Sequence, residues 1–569
     1  MNRDALLQAL AQKPDVTVLI VGGGINGLGV LRELALQGVD ALLIDKGDFC
    51  SGASAAPSRM IHGGLRYLEN GEFRLVRESL RERNLLLQNA PHYVHPLPTT
   101  VPIYNWFSGL LPAALRFLGL EQPPVNRGAL LVKIGLTLYD LFAGSQRILP
   151  RHRFRSRAES LQAHPNLNGD IVCTATYYDA WIAYPERLGL ELALDAAAIH
   201  PQAHALNYVS LIDGSGEYVT LRDELSGQTV QVRPQMVVNA GGAWIDSVNQ
   251  ALNQPTSFIG GTKGSHLIIN HPDLLAALGD EMLFYENADG RICIMFPLLG
   301  KVLAGSTDIR IDDPEAAICE ADEIAYILES IRQVLPAIDV QPADVVYHFC
   351  GVRPLPRMQT ATTGQISRDH HCDVIEPTGE RTFPVYNLIG GKWTTFRAFA
   401  EQVTDTLLQR LGRTRNQTTD SLPIGGGKGY PNNNTARQDW LNRRHAQTGL
   451  PTDRLETLLQ RYGARAEAVA AFLTAAPDEP LVEHPGYSRR EIAFLVTHEQ
   501  VHHLDDLVLR RTTLALQGEL TAALLLELGQ ITAAALGWSD DQTQSDIERT
   551  SQILAKRHGV HLPHTERVP

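Results

Sequence analysis

Gly22, Gly24 and Gly27 spell G-x-G-x-x-G directly after the apolar run Val16 to Val21, and Asp45 follows Gly24 by 21 positions, at the end of a second apolar run from Ala41 to Ile44. Glycines at this spacing let a backbone approach a pyrophosphate closely. The helix that starts there turns N–H donors toward the phosphates, and an acid at that distance accepts from a ribose hydroxyl. The chemistry is dinucleotide binding, with NAD and FAD both open on these residues. NADP is disfavoured, because a carboxylate at Asp45 would repel its 2′-phosphate. Two other motifs carry less. His498-Glu499-Gln500-Val501-His502 satisfies H-E-x-x-H, but it sits far from the glycine motif with only His503 and Asp505 near it as further ligands, so no metal is expected. Gly425-Gly426-Gly427-Lys428 lacks the spacing and the Ser/Thr of a phosphate loop and reads as a linker.

The elements that must position these residues are legible from their patterning. Residues 16–21 have strand length and continuous apolarity, 25–37 read as a helix, and 41–44 form a second strand. Two more strand-length runs lead into small-residue turns: Met236 to Asn239 into Gly241 and Gly242, and Val385 to Ile389 into Gly390, Gly391 and Lys392, with a helix from Thr394 to Leu411. Three strand-to-glycine turns so far apart imply one nucleotide domain assembled from distant segments, with other material inserted. The expected division is 1–91, 171–255 and 351–415 for the nucleotide domain, 92–170 for an insertion with candidate membrane-contact helices, 256–350 for a substrate domain and 430–569 for a helical C-terminal domain.

Composition sets the outer limits. The 569 residues are 44% hydrophobic and 20% charged, the make-up of a folded multidomain protein. A net charge of −13 is the wrong sign for holding a nucleic-acid backbone. Six scattered cysteines with no CxxC pair encode neither a disulfide framework nor a thiolate metal site. The most apolar N-terminal stretch is too short and too glycine-rich to span a bilayer. The expectation is a cytoplasmic protein, or one peripheral on the inner face of the cell membrane.

The stretch Ser58-Arg59-Met60-Ile61-His62-Gly63-Gly64-Leu65-Arg66-Tyr67-Leu68-Glu69, with Gly22 to Gly29 before it, resembles the FAD-dependent glycerol-3-phosphate dehydrogenase family. Further matches follow in the family's order: Lys263-Gly264-Ser265-His266, Gly305-Ser306-Thr307-Asp308, Gly351-Val352-Arg353-Pro354-Leu355, Ser367-Arg368-Asp369, Gly390-Gly391-Lys392-Trp393-Thr394-Thr395 and Asp505-Asp506 with Arg510-Arg511-Thr512. The resemblance implies an α/β fold: a discontinuous FAD-binding, glutathione-reductase-like Rossmann domain, an inserted β-rich substrate domain and an all-helical C-terminal cap. It implies oxidation of glycerol 3-phosphate by hydride transfer to flavin N5, with electrons passed to a quinone. It also implies FAD contacts at Gly22, Gly24, Asn26, Gly27, Asp45, Lys46, Ser58, His62, Gly63, Gly64, Gly241, Gly391, Lys392 and Thr394, and substrate contacts at Arg66, Tyr67, Arg353 and Arg368.

Roles follow from residue chemistry. Arginine presents paired donors to a phosphate, and Arg353, beside Pro354 in an apolar stretch, is the strongest of the three. His266 and His62 are base candidates because imidazole titrates nearest to neutral pH, His266 being placed at the edge of the substrate domain. Lys392 would stabilise negative charge on a reduced flavin. The catalytic set is His266, Arg353 and Lys392. The loop Ala53-Ser54-Ala55-Ala56-Pro57 departs from the family's Ser/Thr-rich run, which keeps a longer polyol phosphate such as erythritol phosphate in play as substrate. An oxygen-using oxidase and a non-catalytic flavin sensor are the further alternatives; the anion-ready arginines argue against the sensor. Trp106, Phe107, Leu110, Leu111, Leu115, Phe117 and Leu118, with a second apolar run from Ile134 to Phe142, have the make-up of an interfacial membrane element.

Overall fold

The computed structural model describes residues 3–69, 71–108, 127–144, 148–287, 289–358, 366 and 368–562, apart from the side chains of Arg66 and Glu69. The expectations for Arg66 and for Leu110, Leu111, Leu115, Phe117 and Leu118 fall outside what is described.

After an N-terminal helix (Arg3–Gln12) come strand β1 (Asp15–Val21), helix α1 (Ile25–Leu36) and strand β2 (Ala41–Ile44), within one residue of the boundaries read from the sequence. The β1 run is continuous in apolar residues because parallel neighbours flank it on both sides and layers cover both faces. Thr229–Asn239 pairs with it on one side and β2 on the other. Val385–Ile389 extends the sheet beyond Thr229–Asn239, and Ala203–Leu206 extends it beyond β2, also in parallel. Helices α1, Pro185–Ile199 and Phe396–Arg410 bury Leu28, Leu31, Leu188, Phe396 and Phe399 against one face. The other face is covered by Val209, Val219 and Leu221 of an antiparallel pair and by Leu6 and Leu10 of the N-terminal helix.

The second layer is a larger sheet of mainly antiparallel strands. Helix α2 (Phe73–Asn89) precedes strand β3 (Val94–Ile103), and helix α3 (Ala129–Ala143) precedes strand β4 (Cys173–Ile182). Strands β3 and β4 pair over their whole length, so Cys173–Ile182, expected in the second nucleotide segment, lies in this sheet, and that segment resumes only at Pro185–Ile199. Across the sheet, strand β5 (Thr262–Ile269) lies between β6 (Lys301–Gly305) and β7 (Val345–Arg353), antiparallel to both. Residues 434–558 form helices joined by loops. This cap packs Leu495, Leu504 and Leu507 together with Phe296, Tyr347 and Phe349 of the large sheet in one apolar cluster. The α/β class with a helical C-terminal unit is therefore as read from the sequence.

Candidate functional site

A cavity of about 850 Å³ runs between the two sheets and under the cap. Its nucleotide end is built from the turn after β1. Gly22 adopts φ +115°, and a Cβ there would come within 2.4 Å of the Ala240 carbonyl oxygen, so only glycine fits between the two backbone crossings. At Gly24 a Cβ would meet Ser54 Oγ at 3.2 Å, at the start of α1, and no other atom within 4 Å. Gly24 caps α1 without any side-chain hydrogen bond; the Ile25 N–H donates to Ser54 Oγ at 3.0 Å. The helix dipole is thus left facing the cavity. Asp45 accepts from the Gly23 and Gly47 N–H groups at 2.6 and 2.8 Å. Burial raises its carboxyl to about 6, against the pull of those two donors. Asn26 Oδ1 is buried with no hydrogen-bond partner, and Gly391, at φ +95°, passes so close that a Cβ would be 3.0 Å from Asn26 Nδ2. A helix start capped only at its Ile25 N–H, an orphaned acceptor and a ribose-ready carboxylate along one cavity fit a dinucleotide of FAD size.

At the other end β5, β6 and β7 bring polar groups together. His266 is 1% exposed; its Nε2 lies 2.9 Å from Ser58 Oγ, its ring stacks on Phe349 at 5.0 Å, and its Nδ1 is buried without a partner. Burial, then the charges of Arg353 and Arg59, lower its pKa to about 3, so the imidazole is neutral. Arg353 donates to Asp308 Oδ1 at 3.0 Å and to Ser306 Oγ and the Thr307 carbonyl at 3.3 and 3.2 Å. The absence of a side chain at Gly264 makes this possible, since a Cβ there would fall 2.1 Å from Arg353 Nη2. Arg368 stands 3.9 Å from the same Asp308. Lys392 Nζ is buried, has no hydrogen-bond partner and lies 4.5 Å over the Tyr67 ring. Burial lowers its pKa to about 7, opposed chiefly by Asp179 and Glu78.

The cavity wall therefore collects Gly22, Gly24, Asn26, Asp45, Lys46, Ser58, His62, Tyr67, Gly241, His266, Arg353, Arg368, Gly391, Lys392 and Thr394. Three expected residues stand behind it. Gly27 packs the helix onto the turn, where a Cβ would be 2.0 Å from the Gly22 carbonyl oxygen. Gly63 is covered by Tyr139 and Leu80, and Gly64 by the Tyr67 ring. Lys46 lines the mouth already paired with Glu315, its ammonium 4.7 Å from the Trp244 ring centroid. Sequence reasoning missed Ser54, Arg59, Tyr347 and the cap residues Arg549 and Arg557, all on the wall; single polar residues in a loop, strand or helix give no periodic signal. The H-E-x-x-H motif is opened out: Glu499 is bound to Arg187 at 2.8 and 2.9 Å, and His498 stacks on Phe494.

Comparison with known proteins agrees with this geometry. The model of the FAD dependent oxidoreductase family matches residues 17–406, and that of the C-terminal domain of alpha-glycerophosphate oxidase matches residues 417–543. The chain is 34% identical to a glycerol-3-phosphate dehydrogenase of Synechocystis sp. over 94% of its length and 96% of the relative's. It is 30% identical to a mitochondrial glycerol-3-phosphate dehydrogenase of Arabidopsis thaliana, over 97% and 88%. The crystal structure of a glycerol-3-phosphate dehydrogenase from Bacillus halodurans complexed with FAD shares the fold with a TM-score of 0.73, at 21% identity and 99% coverage of both chains. A dinucleotide cradle and a cationic pocket at the two ends of one cavity, with relatives alike over nearly their whole length, place this chain in the FAD-dependent glycerol-3-phosphate dehydrogenase family.

Proposed function

We propose that the chain oxidises glycerol 3-phosphate to dihydroxyacetone phosphate, with FAD as its redox group. The observation that carries this reading is the convergence of Arg353, Arg368, Lys392 and neutral His266 at one end of a dinucleotide cavity. Arg353 and Arg368 suit a phosphate dianion, since both are guanidinium forks anchored through Asp308. Bound FAD supplies the two-electron acceptor for the C2 hydride. His266 Nε2 orients the C2 hydroxyl and takes its proton, displacing Ser58 Oγ. The charge of Arg353 is one of the causes that keep His266 weakly basic, and a dianion bound there cancels that charge, so substrate binding itself raises the base. Lys392, as an ammonium, balances negative charge on the reduced cofactor. Dye-linked oxidation by the FAD-loaded protein, assayed with glycerol 3-phosphate, erythritol 4-phosphate and unphosphorylated glycerol, tests this: glycerol 3-phosphate is turned over with the highest kcat/KM. Equal or better turnover of either alternative overturns it.

A second observation supports work at a membrane surface with a lipid-soluble quinone as acceptor. Helix α3 buries Val132, Leu136 and Tyr139 and turns Leu130, Ile134, Leu138 and Leu141 outward, the last 67% exposed. Trp106 and Phe107, 55% and 72% exposed, abut its first turn, where the Leu130 N–H donates to the Trp106 carbonyl. An apolar helix face flanked by aromatic rings suits the headgroup boundary of a bilayer. No helix among the described residues is long and apolar enough to cross one.

A further inference from the structure

Behind the pocket, β4 contributes a buried carboxylate that none of the expected site residues accounts for. Asp179 is 1% exposed and sits below the loop from His62 to Tyr67. Its Oδ1 accepts from Tyr139 Oη of α3 at 2.6 Å, from Arg83 Nη1 of α2 at 2.9 Å and from the Gly63 N–H at 3.2 Å. The Gly63 N–H also donates to Tyr139 Oη at 2.9 Å, so the peptide is held at two points. Gly63 leaves no room for a side chain, because a Cβ would fall 2.4 Å from that same hydroxyl. The pinned peptide starts the turn that carries His62 and Tyr67 to the cavity wall. The His62 N–H donates to Thr394 Oγ1, two residues after Lys392, and the Tyr67 ring lies under the Lys392 ammonium.

We infer that Asp179 is a positioning residue for the redox site: with Tyr139 it fixes the Gly63 peptide, and through that turn it seats the Tyr67 ring under the Lys392 ammonium. The inference rests on the proposed role of Lys392 beside the flavin. The charged and titratable groups acting on Lys392 come from every element around it: Asp179 from β4, Glu78 of α2 and Glu72 before it, Arg368 from the segment before His371–Ile375, His370 beside that arginine and Tyr67 from the 62–67 turn. Asp179 and Glu78 favour the ammonium and Arg368 opposes it, while Arg83 carries the opposite charge 2.9 Å from the Asp179 carboxylate. Arg83 is bound in turn by Asn84 and the Tyr178 carbonyl, so the carboxylate is held by groups that do not themselves reach the cavity. The device is a buried carboxylate–guanidinium pair that holds the turn beside Lys392 in place.

The test uses no substrate, so its outcome is independent of which polyol phosphate is oxidised. The flavin midpoint potential of the FAD-loaded protein is measured by dye equilibration from pH 5.5 to 9 in the wild type, Asp179→Asn and Tyr139→Phe. The wild-type curve bends near pH 7 as Lys392 loses its proton. Asp179→Asn moves that bend about one pH unit lower, a tenfold loss in proton affinity. Because Asp179→Asn also strips Arg83 of its partner, Tyr139→Phe is run beside it: the bend stays within a few tenths of a unit while FAD dissociates at least threefold faster, because the Gly63 peptide has lost one of its two anchors. A bend unmoved in Asp179→Asn, or no bend at all in the wild type, overturns the coupling of Asp179 to Lys392. Unchanged FAD release in Tyr139→Phe overturns the pinning role.

Discussion

Asp48 and Arg511, 463 positions apart, meet in a buried fork: Arg511 Nη1 and Nη2 donate to the two oxygens of one carboxylate, each at 2.8 Å. Arg510 Nε donates to the same Asp48 at 2.6 Å and reaches Asp505 and Asp506 with its Nη2. The turn that follows β2 is therefore clamped to the cap by charges that water does not reach.

Removing one partner of that clamp leaves an uncompensated buried charge, which costs about 3–5 kcal/mol. Asp48→Asn is expected to lower the thermal midpoint and to loosen the cap. Burial alone would raise the Asp48 carboxyl, yet Arg511 and Arg510 hold it well below the usual carboxylate range. Its contribution is thus fully present above about pH 4, the range of an ordinary aspartate, and is lost as the pH falls through the lower folded value. Thermal melts of wild type and Asp48→Asn should differ most at neutral pH and converge in strong acid.

The two glycines of the turn should fail differently. Gly24→Val puts its side chain against Ser54 Oγ, where a pyrophosphate would lie, so the protein folds with native far-UV circular dichroism but purifies without flavin absorbance. Gly22→Ala forces a Cβ against the Ala240 carbonyl at a positive φ and should lose both fold and flavin. Retained flavin in Gly24→Val would remove the pyrophosphate from that turn.

Gly264→Ala is an indirect probe of Arg353. The new methyl must displace the guanidinium from Asp308, and kcat/KM should fall at least about tenfold with flavin content intact, the scale of one charge-assisted contact of about 1.5–3 kcal/mol. Arg353→Ala should match it; unchanged kinetics in both would remove the arginine from the substrate.

Lys392 gives the pH dependence a sign. Its pKa is lowered to about 7, chiefly by burial, so the ammonium is present below that pH and lost above it. The kcat of the wild type should decline as pH rises through this range. Lys392→Met should be slow throughout, with no such decline, in steady-state assays over pH 6–9.

Flotation with anionic liposomes decides the surface reading. Wild type should rise with the vesicles, and Ile134→Glu with Leu138→Glu should stay at the bottom of the gradient. Because both side chains are exposed, 47% and 36%, the double variant should keep its melting temperature within a degree or two. Equal recovery of both proteins would assign the α3 face to something other than lipid.

The nucleotide end was legible because its signals are local. An apolar run, three glycines and an acid lie within Val16 to Asp45, and strand, turn and helix formed within one residue of their expected boundaries. The membership of Cys173–Ile182 was not legible, since an apolar strand fits either sheet and its pairing with Val94–Ile103 is decided far away along the chain. Lys46 is a cofactor contact by resemblance alone; its pairing with Glu315 gave no signal, because it depends on the packing of the substrate layer. Asp179 gave no signal at all. A single acid in an apolar strand becomes meaningful only when Arg83, Tyr139 and Gly63 are folded around it.

The clamp between Asp48 and Arg511 also imposes a timetable on biosynthesis. Synthesis at about 5–20 residues per second separates the emergence of the two residues by some tens of seconds. During the first part of that interval β1 and β2 can pair, but the strand at Val385–Ile389, the third glycine turn and the cap do not yet exist. The nascent chain thus carries an unfinished sheet edge and an unmatched acid while most of its length is still being made. Its first glycine turn can be complete long before a nucleotide can be retained. Loading with the cofactor is in effect a proofreading step on the entire polypeptide, because the site closes only when the last hundred residues have docked on the first fifty.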